Sequence, residues 1–446
     1  MRNPKIIVIG SGLAGLSASL ELASQEFEVL LLEANPSCIG GRTASWTKDG
    51  MEVESGLHRV LGFYTAFPRL VKKAGLKMKD VVIWEDEIEV KIADGPSYVY
   101  GASPVFRPFK TLSSPFRNSL ISWGETWKML KFFVSGMTAY ATHPAQLDEF
   151  SVMDYAQRFQ LCEETVQRMI VPLTSGLFFL PPERYSAYVF FGPFVHALKR
   201  FYRVRIGAFR GAMTDVLAGP IAEKITRLGG TVITGARVTR LIVDNNRVQG
   251  VEVNGVNHYP CDYVIMATSL GPAHEIIRAS SLEESFPKLL SLPTMPEVNL
   301  QLEFTRPVWP VDRAVFGVGT SLITFTEQSR TTFKDKPGRL SIILTPPERI
   351  FSMKDDEIFE IFKQDAPRLG IDPTRVSGYR VIRHPADFYL LSPHMNKLRP
   401  GTRTAIGNLF LAGDYVQQSF MATMEGAIIT GNSAAREVKI AARAAS

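Results

Sequence analysis

Apolar spacing is clearest at the N-terminal end of the chain. KIIVIGSGLAGLSASLELA, at residues 5–23, begins as a β-branched run and continues, after a glycine-rich turn, into an amphipathic stretch with helical spacing. A second apolar run, EVLLLEA, follows it and contains Glu33 near its end. Strand, glycine-rich turn, helix and strand in this order predict the first βαβ unit of a Rossmann-like α/β protein.

The three glycines of that turn have separate expected roles. Gly10 permits a tight turn, Gly12 lets a pyrophosphate approach the backbone, and Gly15 lets the helix pack closely on the strand. The helix N-terminus offers free N–H groups to phosphates, and Glu33 stands near the distance at which an acid binds ribose hydroxyls. Dinucleotide binding is predicted, against the alternative of a glycine turn without a ligand. The turn residues expected at the cofactor are Gly10, Ser11, Gly12, Leu13, Ala14 and Gly15.

Apolar patterns of the same kind occur in the middle of the chain and near its C-terminal end. DVLAGPIAEKITRLGG has helical spacing, and TVITG, RVTRLIV, RVQGVEVNG and CDYVIMATS follow it as strands. LFLAGD ends another strand, and a helix is expected from Met424. We therefore predict a dinucleotide-binding domain assembled from residues 1–75, 211–289 and 396–446.

The intervening segments, 76–210 and 290–395, have a different pattern. VVIWEDEIEVKIA, SYVYG, VNLQLEF and RLSIILT are typical of strands, and DDEIFEIFKQDAPRLG of a helix. Stretches rich in Phe, Trp and Pro lie between them and look helical. These segments predict a discontinuous α+β substrate domain, a sheet with a helical cap.

Composition narrows the class of protein. A hydrophobic content of 45% and a charged content of 21% are typical of a folded protein with a large core. A net charge of +6 spread over 446 residues does not indicate a nucleic-acid partner. The three cysteines share no metal-ligand or redox spacing, so no metal is expected. The first strand leaves no room for a signal peptide, and no apolar run reaches the ~18 residues of a membrane span. A cytoplasmic protein, free or attached to a membrane surface, is expected.

Three motifs resemble a known family. After Glu33 the chain reads NPSCIGGRTASW, and this GGR resembles the FAD fingerprint of the flavin amine oxidase superfamily. ESGLHRVLGFYTAFPRLVKKAGL, at 54–76, resembles the plant- and cyanobacterial-type carotenoid desaturases that act on phytoene and ζ-carotene. LFLAGDYVQQSFMATMEGAIITG resembles the closing motif of those enzymes, and that of bacterial hydroxysqualene dehydroxylases.

The resemblance implies FAD as cofactor, bound by a Rossmann-like domain of the glutathione-reductase type. It places the N-terminus of the Met424 helix at the flavin N1–O2 side, where a helix end stabilises the negative charge of reduced flavin. His58 is either a flavin contact or a catalytic base, and no other catalytic side chain is indicated. Further cofactor contacts implied are Ala34, Gly41, Arg42, Gly56, Leu57, His58, Val238, Gly413, Asp414, Thr423 and Met424.

The reaction implied is desaturation of a lipophilic isoprenoid, with hydride passing to flavin N5 and a quinone or oxygen as electron acceptor. Hydroxysqualene dehydroxylation and redox-neutral polyene isomerisation remain alternatives. An amine or protoporphyrinogen oxidase is disfavoured, because amine oxidases carry a tyrosine where this chain has Thr423. A flavin-binding protein without catalytic duty is a further alternative.

Two aromatic, basic stretches allow two interpretations. Residues 114–137 and 177–205 mix large apolar side chains with lysines and arginines. They predict either an aromatic core with solvated charges or a surface that docks to an anionic membrane, where a lipid substrate and a quinone would be dissolved.

Overall fold

Strands alternate with helices in the computed structural model, which describes residues 3–109, 111 and 120–445. The first six residues of the aromatic stretch at 114–137 lie outside this described part. The strands are β1 Lys5–Ile9, β2 Glu28–Leu32, β3 Ser45–Lys48, β4 Met51–Glu54, β5 Val60–Leu61, β6 Val82–Glu85, β7 Glu87–Ile92, β8 Ser97–Gly101, β9 Ile206–Phe209, β10 Thr231–Ile233, β11 Val238–Asp244, β12 Arg247–Val253, β13 Asn257–Pro260, β14 Tyr263–Met266, β15 Thr294–Phe304, β16 Ala314–Val318, β17 Leu322–Glu327, β18 Arg339–Leu344, β19 Val376–Tyr389 and β20 Leu409–Leu411.

The helices differ widely in length, and the longest is the C-terminal one. They are α1 Leu13–Ala23, α2 Ala66–Lys73, α3 Met78–Val81, α4 Trp123–Thr142, α5 Pro144–Leu147, α6 Val152–Gln157, α7 Glu163–Thr165, α8 Val171–Phe178, α9 Ala187–Lys199, α10 Gly219–Arg227, α11 Leu270–Ala279, α12 Pro287–Leu290, α13 Pro347–Phe351, α14 Asp355–Asp365 and α15 Met424–Ala445. Among the described residues, no helix has both the length and the apolar character needed to span a bilayer.

A parallel sheet is one of the two main sheets of the fold. Its strands lie in the order β10-β2-β1-β14-β20, and the apolar residues of β1 and β14 are almost wholly buried. The long C-terminal helix α15 packs on α1 so closely that a Cβ on Gly431 would lie 2.2 Å from the Ala14 carbonyl oxygen. The carboxyl ends of all these strands meet at one edge, where parallel α/β sheets bind ligands. The predicted Rossmann-like fold class is confirmed.

A mixed sheet is the other main sheet. It has the order β19-β15-β18-β17-β16-β7-β8, so strands from residues 87–101 and 294–389 share it. Alternate residues of β15 face opposite ways: Leu300 and Leu302 lie in an apolar core, while Asn299 and Gln301 are also fully buried. Gln301 exchanges hydrogen bonds with the backbone of Glu54, so this polar face lies against the end of β4.

A small three-stranded sheet contains strands from both predicted domains. β9 pairs with both β5 and β6, for example Val60 with Gly207 and Ile83 with Ala208. Because β5 and β9 fall on opposite sides of the expected domain boundaries at 75 and 210, the division into domains stays a prediction. Helices α4 and α9 pack against each other through rings such as Phe133 and Phe194, whose centres lie 4.9 Å apart.

Candidate cofactor and substrate site

The glycine-rich turn connects β1 to α1 at the carboxyl edge of the parallel sheet. Gly10 has φ +99°, and a Cβ there would lie 2.9 Å from the Ala267 carbonyl oxygen. A Cβ on Gly15 would lie 1.9 Å from the Gly10 carbonyl oxygen, so only glycine lets α1 lie this close to the strand. Gly12 has no non-neighbouring atom of the described residues within 4 Å of its Cβ position. The turn is therefore packed on two sides and open at Gly12.

Glu33 lies beside this turn. Its Oε2 accepts hydrogen bonds from the Ser11 backbone N–H at 2.9 Å and the Ser11 hydroxyl at 2.6 Å, and its Oε1 accepts from Asn35 N–H. The Ala236 N–H donates to the Glu33 carbonyl oxygen, which brings Val238, the buried first residue of β11, to the same edge. The predicted residues Ser11, Glu33 and Val238 are thus brought together. Ala34 follows half-buried, and Leu13 and Ala14 are buried at the start of α1.

The GGR segment lies directly beside the glycine-rich turn. The Gly40 N–H donates to the Ser11 carbonyl oxygen at 3.1 Å, and a Cβ on Gly41 would lie 3.1 Å from the Gly12 Cα. Arg42 then extends to Asp414, with its Nη2 2.5 Å from Asp414 Oδ1. Burial alone would lower the pKa of Arg42, but the Asp414 carboxylate, together with Asp387 and Glu297, raises that pKa overall. Arg42 is therefore a permanent cation at the edge of the sheet.

Asp414 follows Gly413 after β20, and one of its two carboxylate oxygens is available. Oδ1 is bound by Arg42, whereas the buried Oδ2 has no hydrogen-bond partner among the described residues. The loop is held by Arg399, a buried side chain whose guanidinium donates to the carbonyl oxygens of Asp414, Tyr415, Val416 and Gln418. Arg399 fixes the carboxylate in place without using its free oxygen.

Residues 55–58 follow β4 and pass between the two sheets. A Cβ on Gly56 would lie 3.1 Å from Glu297 Oε1 of β15, and Leu57 packs on the core. The His58 Nδ1 lies 3.0 Å from the Gly56 carbonyl oxygen. Burial lowers the pKa of His58 to about 4, with only partial opposition from that carbonyl. The ring is therefore neutral near pH 7 and a weak base, which favours the role of cofactor contact over that of proton acceptor.

The start of α15 is stabilised by side chains on both sides of Met424. The Thr423 hydroxyl accepts a hydrogen bond from Gly426 N–H at 3.1 Å and so caps the helix. The carboxylate of the fully buried Glu425 accepts from the backbone N–H groups of Thr65, Ala66 and Phe67, at the N-terminus of α2. Glu425 thereby ties the closing helix to the segment that follows His58.

A small cavity opens beside Thr423 and is lined mostly by apolar groups. α9 contributes residues to one side and the closing segment to the other. The His196 ring lies 4.0 Å from the Phe420 ring centre to centre, and its Nε2 donates to the Ser419 carbonyl oxygen. Burial lowers the pKa of His196 and keeps it neutral. The lining residues are Leu61, Phe63, Tyr64, Val189, Pro193, His196, Ser419, Phe420, Met421 and Thr423.

These groups offer hydrogen-bond partners to the phosphates and hydroxyls of a dinucleotide. The turn is open at Gly12, the free Oδ2 of Asp414 can accept from a hydroxyl, and the buried Thr268 hydroxyl after β14 also lacks a partner among the described residues. Helix α1 has no side-chain cap at its N-terminus, so its first N–H groups remain free for phosphates. The Rossmann-like fold and the groups at the carboxyl edge of its parallel sheet together define a dinucleotide-binding protein. A second, mixed sheet lies over that edge.

Comparison with known proteins gives the family. The chain belongs to the flavin containing amine oxidoreductases, whose family model matches residues 13–439. It is an FAD-dependent oxidoreductase, and the resemblance drawn from the GGR, GLH and closing motifs is confirmed at this level.

Relatives and solved structures agree with this family. The chain is 24% identical to 15-cis-phytoene desaturase of Synechococcus elongatus, covering 97% of this chain and 95% of that one. It is 24% identical to the chloroplastic 15-cis-phytoene desaturase of Arabidopsis thaliana, covering 97% and 80%. An oxidoreductase from Methanosarcina mazei has the same fold, with a TM-score of 0.75 at 18% identity over 96% and 99% of the two chains. Putrescine oxidase bound to putrescine gives 0.76 at 17% identity over 98% and 99%.

Sequence reasoning did not identify several residues of this site. Glu425 binds backbone N–H groups about 360 residues earlier in the chain, Arg399 binds the carbonyl oxygens of a loop 15 to 19 residues ahead, and the Thr268 hydroxyl has no partner among the described residues. Glu425 and Thr268 stand inside quoted stretches, but the pattern of those stretches gave neither of them a role. The buried group around His384 was also missed. Its histidine sits in the middle of β19, where the alternating pattern predicts a strand and says nothing of the partner.

Proposed function

We propose that this oxidoreductase desaturates a lipophilic polyene of the isoprenoid class, as in phytoene or ζ-carotene. The observation that carries the proposal is the apolar cavity at Thr423, whose described lining includes no Asp, Glu, Lys or Arg. A protonated amine finds no carboxylate in this lining, only aromatic rings such as Phe63 and Phe420, whereas a hydrocarbon needs no charged partner. The near full-length similarity to phytoene desaturases supports the same substrate class.

FAD is held, in this proposal, along the carboxyl edge of the parallel sheet. Bound FAD would supply the two-electron acceptor, with N5 receiving the hydride and the proton of the neighbouring carbon leaving to solvent, because no protein side chain accepts two electrons from a C–H bond. The chain's own residues bind, orient and shield it. The proposed set comprises Gly10, Ser11, Gly12, Leu13, Ala14, Gly15, Glu33, Ala34, Gly41, Arg42, Gly56, Leu57, His58, Val238, Gly413, Asp414, Thr423 and Met424.

Thr423 has two roles in this account. As a cap it stabilises the N-terminus of α15. The position of that helix end near the flavin is proposed from the resemblance of the closing motif. As a small side chain it leaves the cavity wider than a tyrosine would. Thr423→Tyr would remove the helix cap as well as narrow the cavity. The substrate class is therefore tested by direct assay.

The test is incubation of the flavin-loaded protein with four compounds under anaerobic conditions: phytoene, ζ-carotene, hydroxysqualene and a simple amine. We expect loss of oxidised-flavin absorbance together with a longer conjugated product from a carotene. Replacing the hydroxyl of hydroxysqualene by hydrogen consumes a hydride, so that arm starts from protein whose flavin has been reduced with dithionite, and squalene formed as the flavin is re-oxidised would favour dehydroxylation. A carotene isomer formed while the flavin stays oxidised would favour the redox-neutral alternative. Flavin reduction by the amine alone would overturn the substrate class.

We further propose that the protein takes its substrate, and a quinone acceptor, from an anionic membrane surface, with oxygen as the alternative acceptor. Trp127, Leu130 and Val134 lie along one side of α4, and Trp127 is 63% exposed. Leu198 at the end of α9 is also 63% exposed and Phe201 is 59% exposed. Lysines and arginines accompany them, namely Lys131, Lys199, Arg200 and Arg203. Exposed aromatic and basic side chains together suit the headgroup region of an anionic bilayer.

Vesicle flotation tests this docking surface. We expect binding to vesicles containing anionic lipid, less binding to neutral vesicles, and weakening by high salt. Trp127→Ser should reduce binding, whereas Val256→Ser, at a 75% exposed position in the turn between β12 and β13, should not. Equal loss in both variants, or no binding to either vesicle, would contradict the docking surface.

A further inference from the structure

A buried ionic group lies between the two sheets, centred on His384 of β19. The His384 Nδ1 is 3.0 Å from Asp387 Oδ2, and its Nε2 is 2.8 Å from the Ser55 carbonyl oxygen and 4.0 Å from Glu297 Oε2. The other oxygen of Asp387 accepts a hydrogen bond from the Ser269 hydroxyl, just after β14. The hydrogen bonds of His384 and Asp387 therefore connect the mixed sheet, the loop after β14 of the parallel sheet and the segment after β4.

The contacts of His384 define its charge. The Ser55 hydroxyl, 3.1 Å from Nε2, can donate or accept, but the Ser55 carbonyl oxygen at 2.8 Å can only accept, so Nε2 carries a hydrogen. Burial would raise the pKa of Asp387, but its bond to His384 prevails and lowers that pKa to about 2, so Nδ1 also faces an acceptor. An imidazole that donates from both nitrogens is an imidazolium. Burial opposes this charge, yet Asp387 and Glu297 prevail and raise the pKa of His384.

The group adjoins the proposed cofactor site. Glu297 Oε1 lies 3.1 Å from the Cβ position of Gly56, and His384 holds the carbonyl of the residue before it. The charged and titratable side chains that face His384 are Asp387, Glu297, Arg42 and His58. Arg42 is paired directly with Asp414 and acts on Asp387 without a hydrogen bond, so His384, 3.0 Å away, is the cation in contact with Asp387.

We propose that the His384 imidazolium is a positioning and charge-balancing residue for the flavin: it fixes the Ser55–Gly56 backbone and favours the negatively charged reduced cofactor. The inference rests on the proposed cofactor site. Replacing His384 by a neutral side chain leaves the Asp387 carboxylate uncompensated beside that site. A local negative charge disfavours a reduction that itself adds negative charge.

Potentiometric titration of the bound flavin tests the inference without any substrate. We expect His384→Gln to lower the midpoint potential by the equivalent of about tenfold in the reduction equilibrium, about 30 mV for a two-electron couple. The double variant His384→Gln/Asp387→Asn removes both charges, so the potential should return toward that of the wild type. A merely structural role predicts no such rescue, because both variants lose the same hydrogen bonds.

Two results would overturn the inference: an unchanged potential in His384→Gln, or a fall that the double variant does not reverse. If His384→Gln does not fold, ¹⁵N NMR of histidine-labelled wild-type protein decides the point. His384 should show two protonated ring nitrogens at pH 7.5, and a neutral ring there would refute the charge assignment. A protein that binds no flavin at all would instead refute the proposed function, so the two failures are distinguishable.

Discussion

At the scale of single residues, two carboxylates hold the edge of the parallel sheet together, Glu33 on the Ser11 turn and Asp414 on Arg42. Glu33 could be predicted because it follows the glycine turn at a characteristic interval, and the structure places it on Ser11. The partner of Arg42 could not, because Asp414 lies 372 residues away. Two charged residues so far apart in sequence pair only because the folded chain brings them together, and residue spacing does not predict that.

Glu33→Ala should weaken FAD binding. The substitution removes an acceptor for the ribose hydroxyls and also releases Ser11, so we expect a loss of ~1.5–3 kcal/mol, about 10- to 100-fold in Kd. Flavin fluorescence titration of the apoprotein measures it. Glu28→Ala, on an exposed side chain of the same strand, is the matched control. Equal affinity of the Glu33 variant and the control would remove Glu33 from the site.

Glu54→Gln should change how stability depends on pH. Burial raises the pKa of Glu54 to about 7, with Gln328 and Arg339 opposing it. Between its ordinary value and about 7, the folded protein keeps a proton that the unfolded chain has lost, so the free energy of unfolding falls as pH rises through this window. Glutamine cannot ionise and removes this contribution. We expect the variant to be ~1–3 kcal/mol more stable than wild type at pH 8 and nearly equal to it at pH 5.

Urea denaturation at the two pH values checks this. Glu52→Gln, at a half-exposed position on the same strand, should show no such difference between pH 5 and pH 8. Buried Glu85 and Glu297, whose pKa values burial also raises to about 7, keep a residual pH dependence in every variant. An equal stability change at both pH values in Glu54→Gln would disprove the assigned cause.

At the scale of elements, periodicity predicted those with a long, regular pattern. β1, α1, β2 and the closing helix α15 lie where apolar spacing placed them, and β15 alternates as VNLQLEF predicts. The two-residue strand β5 and the strand β9 were missed, because pieces this short show no period. The buried polar face of β15 was not expected either, since alternation predicts a polar side but not that another element covers it.

Gly431→Ala should destabilise the packing of α15 on α1. Alanine would gain up to ~1 kcal/mol of helix propensity at this position. Its Cβ, however, would lie 2.2 Å from the Ala14 carbonyl oxygen, and overpacking against backbone costs ~1–3 kcal/mol or more. The clash should therefore prevail, lowering the thermal midpoint and weakening FAD binding because α1 carries the glycine turn.

Gly401→Ala provides the control, since no other atom of the described residues lies within 4 Å of its Cβ position. This variant should unfold like the wild type and retain FAD. Differential scanning fluorimetry with and without added FAD reads out both effects. A Gly431 variant as stable as the Gly401 variant would mean that the two helices separate at little cost.

At the scale of the whole molecule, the family and the two-sheet architecture follow from motifs spread over the chain, whereas the interface between the sheets does not. Where the mixed sheet meets the β3–β4 hairpin the contact is polar and ionic, with Arg339, Gln301 and Glu54 buried together, and His384 lies farther along. The pattern of residues along one strand does not predict these contacts, because the partner of each buried side chain lies in another segment of the chain. The limits of the two predicted domains stay a prediction for the same reason.

In the proposed reaction the bound flavin oxidises an apolar polyene. The most direct measurement is an anaerobic titration of the flavin-loaded protein with phytoene, followed by absorbance and by analysis of the extracted product. We predict that oxidised flavin disappears in step with a desaturated product of longer conjugation, one equivalent for one. Flavin that stays oxidised with every polyene yet is reduced by a simple amine would contradict the account.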